Sequence, residues 1–426
     1  MTGACERLEA CVARIAERPL AFTRIYREQA RVEAEASDAR RRVGLSLGPL
    51  DGRIVSIKDL FDVAGEQTLA GSKVMRGNPP AADDAPVVRR LRRAGAVIVG
   101  KTAMVEFAFS GLGLHPYHGT PGNAVDPERI PGGSSSGAGV SVGTGSSEIS
   151  IGSDTAGSVR IPASLNGVVG FKPTASRVPL EGAFPLSYSL DSIGPLARSV
   201  GDCAAADAVM AGEEPWPLHA VPLAGLRIGV PRGRLFDETE TMVAEAFEAA
   251  LKLLGAEGCR VVDHSIEQHL ESISEATRVA SIAAIEAAAV HADWLESRAE
   301  AFDPRVRARI ARASAVPAPE YVRMMRKRAE LITAVDASLA DIDVLALPTT
   351  PTSAPLIASL TDDEAYWQAN ALMLRNTISG NLFDLTAVSL PMPGLERPAG
   401  LMLAARRGHD RRLLSIAQAV ETALAG

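Results

Sequence analysis

Apolar and polar positions change period several times along the chain, and each change predicts an element. From the first residue to about position 45, charged residues mix with apolar ones at three- and four-residue steps, which predicts an amphipathic N-terminal helical segment. Residues 53–59, Arg-Ile-Val-Ser-Ile-Lys-Asp, are rich in β-branched side chains and follow Gly52, as a buried strand does, so Lys58 falls near a strand end. Residues 85–94 predict a helix and 96–99 a strand closed by Gly100, one β-α-β passage of a layered α/β architecture. Further on, 226–230 predicts a strand, 241–254 a helix, and the alanine-rich run 267–302 a long helical stretch. Two prolines in 315–320 predict a connection between helices. Segments 344–347 and 387–390 are strand candidates stopped by Pro348 and Pro391.

Between 110 and 160 the periodic signal fades while glycine and serine crowd together, which predicts a loop system that builds a site. The stretch 212–225, with Pro215, Pro217 and Pro222, predicts a surface excursion within one domain, and the chain holds no internal repeat.

Composition narrows the function classes. Of 426 residues, 46% are hydrophobic and 22% charged, which permits a large buried core and argues against disorder. A formal charge of −7 supplies no broad basic surface, so neither nucleic acid nor an anionic membrane is an expected partner. No uninterrupted apolar run is long enough to predict a spanning helix or a signal peptide. Cys5, Cys11, Cys203 and Cys259 fit neither a zinc site nor a disulfide framework, so a reducing cytoplasm is expected. His115 and His118 lack a carboxylate or cysteine at ligand spacing; no metal and no cofactor is expected.

Three segments carry candidate chemistry: Lys58 after its strand, Pro131-Gly-Gly-Ser134-Ser135-Ser136-Gly137, and Gly152-Ser-Asp-Thr-Ala-Gly-Ser158-Val-Arg160. A serine hydroxyl attacks a carbonyl only when a base takes its proton, and the oxyanion that forms needs donors held in advance. The small residues of Thr155-Ala156-Gly157-Ser158 allow several backbone N–H groups to face one point. A glycine-serine run is by composition a linker, but Asp154, Arg160, Val159, Ile161 and Val168 mark a segment returning to a packed core. A lysine closing a strand is by itself an ordinary surface residue, and only its company gives Lys58 a role.

A rival reading starts from Gly133-Ser-Ser135-Ser-Gly137, which matches the nucleophile elbow of α/β-hydrolases, with Ser135 as nucleophile of an esterase and His409 completing a triad. That elbow follows a strand, whereas residues 123–131 hold two prolines and little strand character. Gly111-Leu-Gly113-Leu-His115 lacks the third glycine of a dinucleotide fingerprint.

The segments VSIKDLFDVAG, GKTAMVEFAFS, RIPGGSSSGAGVSV, GSDTAGSVRIPASLNGVVGFKPT and DSIGPLARSV resemble the amidase signature family in order and spacing, from about residue 52 to 200. A weaker return lies in VLALPTTPTSAP and NLFDLTAVSLP. The resemblance implies an α/β fold with a large mixed sheet between helical layers. One domain would span 1–426: an N-terminal helix to about 45, a signature core 52–200, a variable helical region 232–341 and a core return 342–426. It also implies an amidohydrolase that works through an acyl-enzyme, with Ser158 as nucleophile, Ser134 as relay and Lys58 as base. The two serines stand 24 positions apart, as in the family pattern, which favours Ser134 over Ser135 or Ser136. The resemblance further implies a cis peptide between Gly133 and Ser134, and backbone oxyanion donors at Thr155, Ala156, Gly157 and Ser158. Ala156 stands where many relatives have glycine. Ser135 and the pair Asp154 and Arg160 are expected as supports.

Within the family, the alternative is the glutamine-hydrolysing subunit of a tRNA-dependent amidotransferase. NLFDLTAVSLP leans instead toward free-standing amidases, including those resembling allophanate or carboxybiuret hydrolases. The expected partner is a small-molecule amide, small or urea-like, with specificity from segments 104–117 and 182–191 and from the helical middle. Phe107, Phe109, Tyr117, Phe184 and Tyr188 are candidate pocket aromatics or core, and a homodimer is the default assembly.

Overall fold

Eleven strands join in one sheet within residues 2–426, the residues that the computed structural model describes. They are β1 (Phe22–Ile25), β2 (Ile54–Lys58), β3 (Val97–Thr102), β4 (Ile149–Asp154), β5 (Val169–Lys172), β6 (Ser192–Ala197), β7 (Arg227–Val230), β8 (Arg260–Asp263), β9 (Val344–Pro348), β10 (Thr386–Pro391) and β11 (Gly400–Ala405). The spatial order is β1-β3-β2-β4-β6-β5-β10-β11-β9-β7-β8. β3, β2 and β4 run parallel, as do β9, β7 and β8, while the strands between them pair antiparallel. The sheet is therefore mixed, and its parallel block at β3-β2-β4 supports the candidate site.

Side-chain alternation divides the core into layers. Ile54, Val97, Val99 and Val140 pack together on one face of the β2-β3 region, whereas Val55, Ile57 and Ile98 point into the main core on the other. Along β6, Leu196 meets Ala138, Val142 and Ala163 beneath the helices Ser136–Thr144 and Arg160–Leu165. Its neighbour Ala197 faces the opposite layer, where the helices Val200–Ala211 and Asp410–Ala425 lie. Helices on both faces make the α/β/α arrangement that the sequence led us to expect.

Three expectations need correction. The N-terminal segment is not one helix: Ala4–Glu17 and Arg27–Arg42 are separated by β1, because Pro19 interrupts the helical run. Residues 110–160 are not loop throughout, since they contain the helix Ser136–Thr144 and the strand β4. That helix is buried from end to end over Ser136–Val142, so it has no polar stripe for periodicity to detect. Its glycines mark close contact: a Cβ at Gly137 would lie 2.2 Å from the Ala21 carbonyl oxygen. The long helical run 267–302 breaks into Glu267–Ala276 and Ile282–Val290, the second capped by Ser281, whose hydroxyl accepts from the Ala284 N–H.

Candidate active site

β2 carries Lys58 to its C-terminal end, and every residue of this strand is buried. The parallel register sets Ile57 beside Ile151 on β4, so Lys58 reaches the neighbourhood of Ser153. Lys58 Nζ donates to Ser153 Oγ and to Ser134 Oγ, each at 2.8 Å. With no solvent contact, burial pulls the amine down to about 7, although Asp191 and Asp154 hold it partly up.

Ser134 precedes the Ser136–Thr144 helix, and the Gly133–Ser134 peptide is cis. Ser158 lies in the turn between β4 and the helix Arg160–Leu165, and this turn also borders the pocket through Thr155 and Ala156. Ser158 Oγ has no hydrogen-bond partner among the described residues and faces that pocket. The two loops are tied by the Ser135 N–H, which donates to the Ser158 carbonyl at 3.3 Å. Lys58 to Ser134 is thus a formed contact, whereas no hydrogen bond joins Ser134 Oγ to Ser158 Oγ here.

Asp154 fixes the turn. Its carboxylate accepts from the N–H groups of Gly157 at 2.8 Å and Val159 at 3.1 Å, and from Arg160 Nε at 3.0 Å and Nη2 at 2.8 Å. Asn381 Nδ2 adds a bond to the same carboxylate at 3.1 Å, and its Oδ1 accepts from Arg160 at 2.7 Å. Burial pushes the Asp154 carboxyl up, but Arg160, Lys172 and these donors outweigh it and bring it to about 2. Gly157 has φ 132°, and a Cβ there would meet Thr377 Oγ1 at 2.1 Å, so glycine is required by both backbone and space.

This geometry amends the expected oxyanion set. The Gly157 N–H is committed to Asp154, leaving Thr155, Ala156 and Ser158 as the N–H groups without an acceptor among the described residues. Ala156 is not among the positive-φ residues, so its backbone accepts a side chain, and its carbonyl accepts from Thr377 Oγ1 at 2.6 Å. Ser135 turns away from the pocket; it is fully buried and donates to the Ser153 carbonyl at 3.3 Å, with no histidine among its partners. No strand precedes it, so the elbow geometry is absent.

Asp154→Asn removes the charge that balances a fully buried guanidinium. The expected cost is about 3 to 5 kcal/mol in urea unfolding, together with loss of activity, because the Ser158 turn loses its anchor. A variant as stable and active as the parent would refute that anchoring role.

Two residues of the site were not singled out by sequence reasoning. Ser153 was hidden because its pairing with Lys58 depends on which strands become neighbours. Asp191 was named only as the end of a segment; it accepts from Thr155 Oγ1 at 2.5 Å and from the N–H groups of Leu186 and Ser187 at 2.9 and 3.1 Å. Burial pushes its carboxyl up to about 6, against these bonds and the field of Lys58.

The pocket before Ser158 is a cavity of about 70 Å³, bordered by Phe109, Leu186, Ile282, Arg309 and Leu374 among others. Of the aromatic candidates, only Phe109 reaches it. Phe107 and Phe184 pack around His291 in the core, Tyr117 borders a separate surface cavity, and Tyr188 is 68% exposed. His115 binds the Gly71 carbonyl at 2.9 Å and the His118 N–H at 2.8 Å, a loop-stabilising arrangement. Among the described residues, no group of three or more His, Cys, Asp or Glu stands together as a metal site, and no helix is long and apolar enough to cross a membrane.

A mixed sheet carrying these turns defines an α/β amide hydrolase, and comparison with known proteins agrees. The sequence matches the Amidase family over residues 6–414, and the chain belongs to that family. It is 41% identical over 402 residues to a 2-amino-5-chloromuconic acid deaminase of Comamonas testosteroni, covering 92% of this chain and 86% of the relative. It is 39% identical over 354 residues to a 1-carboxybiuret hydrolase subunit of Pseudomonas sp. (strain ADP), covering 80% and 76%. A crystal structure described as an amidase superposes with a TM-score of 0.90 at 36% identity, over 99% of this chain and 96% of the other. The chain is therefore a hydrolase of amide C–N bonds.

Proposed function

We propose that the protein hydrolyses a small carboxamide through an acyl-enzyme on Ser158, with Ser134 as relay and Lys58 as base. The observation that carries this reading is the fully buried Lys58, whose amine is brought to about 7 and bonded to Ser134 at 2.8 Å, beside the turn that presents Ser158 to a pocket. Neutral Lys58 accepts the Ser134 proton as Ser134 accepts that of Ser158, and Ser158 Oγ attacks the carbonyl carbon. The oxyanion is received by the free N–H groups of Thr155, Ala156 and Ser158, while Gly157 and Asp154 keep the turn in shape. The proton returned along the chain leaves with ammonia or an amine, and water then releases the carboxylic acid by the same path. The Ser134 hydroxyl must come within hydrogen-bonding distance of Ser158 as substrate binds.

A cavity of about 70 Å³ is well below the roughly 300 to 1,000 Å³ of pockets that hold drug-sized ligands, which favours a short acyl group. One sheet of eleven strands running through the described residues supports one domain over 1–426.

Hydroxylamine tests the acyl-enzyme. In a panel of acetamide, benzamide, indoleacetamide, glutamine, biuret and allophanate, a turned-over amide is expected to yield its hydroxamate at the expense of acid, with ammonia release unchanged when deacylation is fast. A glutamine preference would move the reading to the amidotransferase subunit. Turnover with no hydroxamate at any hydroxylamine concentration would overturn the covalent route.

A further inference from the structure

Arg309 has no counter-charge. It lies on the helix Pro304–Ala313 and borders the Ser158 pocket, yet no carboxylate among the described residues comes within ion-pair distance of it. The groups that meet it are neutral. Its Nη1 donates to the Phe109 carbonyl at 3.3 Å, and its guanidinium stands 4.1 Å from the Phe109 ring centre. Tyr366 is the one other titratable group that acts on it. The side chain is partly accessible, but protein surrounds it closely enough that desolvation lowers its pKa. An arginine remains charged in such a place, so a guanidinium held there unpaired is left with a strong demand for an anion.

A second element points to the same space. The helix Ile282–Val290 begins at the pocket, with Ser281, Ile282 and Ala283 all on its wall. The Ser281 hydroxyl and carbonyl serve Ala284, but the N–H groups of Ile282 and Ala283 have no acceptor among the described residues. Free N–H groups at a helix N-terminus favour negative charge. Two independent positive features therefore face one small cavity, in a chain whose other buried arginine at the site, Arg160, is fully paired with Asp154.

We propose that Arg309, assisted by the Ile282–Val290 helix N-terminus, binds a carboxylate on the acyl side of the substrate, so that the preferred substrates are short amides of dicarboxylic acids. This rests on the Ser158 reading of the pocket. Arg309 and Ser158 border the same small cavity, so the carboxylate and the carbonyl that Ser158 attacks belong to one short acyl group, for which malonamate and succinamate are the probes.

Arg309→Met keeps the stem of the side chain and removes the charge. Two measurements separate the carboxylate subsite from the chemistry. Wild type and Arg309→Met are compared for ammonia release from succinamate and from butyramide, its uncharged analogue. In parallel, calorimetry measures succinamate binding to Ser158→Ala with and without Arg309→Met, where no turnover occurs. Wild type is expected to favour succinamate in kcat/KM by about 10- to 100-fold, and Arg309→Met to lose that preference mainly through KM. Binding to Ser158→Ala is expected to weaken by the same factor when Arg309 is replaced. Equal use of the two amides by wild type, or succinamate binding unchanged by Arg309→Met, overturns the proposal. If succinamate binds through Arg309 but neither protein releases ammonia from it, the subsite stands and the Ser158 chemistry fails.

Discussion

Ser158→Ala is expected to lower kcat for amide hydrolysis by about 10⁴-fold or more, whereas Ser135→Ala retains activity within about tenfold. The asymmetry follows from where the hydroxyls point. Ser158 Oγ is unpaired and faces the pocket beside the free N–H groups of Thr155 and Ala156. Ser135 Oγ is sealed behind it on the Ser153 carbonyl, and its contribution is the N–H bond that ties the two loops. That bond is made by the backbone and survives substitution by alanine. Ammonia release, measured for both variants alongside circular dichroism, decides the matter. Activity lost in Ser135→Ala and kept in Ser158→Ala would restore the elbow reading and remove the nucleophile from the β4 turn.

The sheet core was legible where strands are short, β-branched and closed by glycine or proline. Segments 53–59, 226–230, 344–347 and 387–390 each coincide with an observed strand to within one residue at either end, whereas 96–99 is β3 cut short: the strand runs through Gly100, expected to close it, to Thr102. What escaped was buried on all sides. β4 reads Ile-Ser-Ile-Gly-Ser-Asp, with serine and glycine at positions where a half-exposed strand would place polar residues toward water, yet all six are buried. Ser150 there joins Ser56, Ser141 and Ser147 in a buried hydroxyl cluster, so polarity gave a misleading sign of exposure. The site showed the same division. Lys58, Ser134, Ser158, Asp154 and Arg160 stand in local motifs and could be named, whereas Ser153 and Asp191 depend on the β2-β4 and β4-β6 pairings. Arg309 comes from a region with no motif at all, and only the fold reveals that no acid accompanies it.

Lys58→Met is expected to separate activity from stability. Without the amine no base remains to draw a proton through Ser134, so kcat falls by a factor on the order of 10³ to 10⁴. The wild-type rate should rise with pH through about 7, because only the neutral amine accepts a proton, and Lys58→Arg, which stays charged, should not recover it. Stability moves the other way. Unfolded, the amine holds its proton to its ordinary value of 10.5; folded, burial releases it at about 7. Between these values the unfolded chain binds more protons, so stability rises with pH across that window. Below pH 7 the folded state carries the buried charge, a penalty of about 5 kcal/mol relative to pH 10.5. Methionine fills the space without a charge, at the loss of hydrogen bonds to Ser134 and Ser153 that are worth about 1 kcal/mol each. Urea unfolding at pH 6 should therefore find Lys58→Met more stable than wild type, with the advantage shrinking toward pH 10. A variant less stable at pH 6, with an unaltered pH–rate profile, would mean that Lys58 is neither a strained buried charge nor the base.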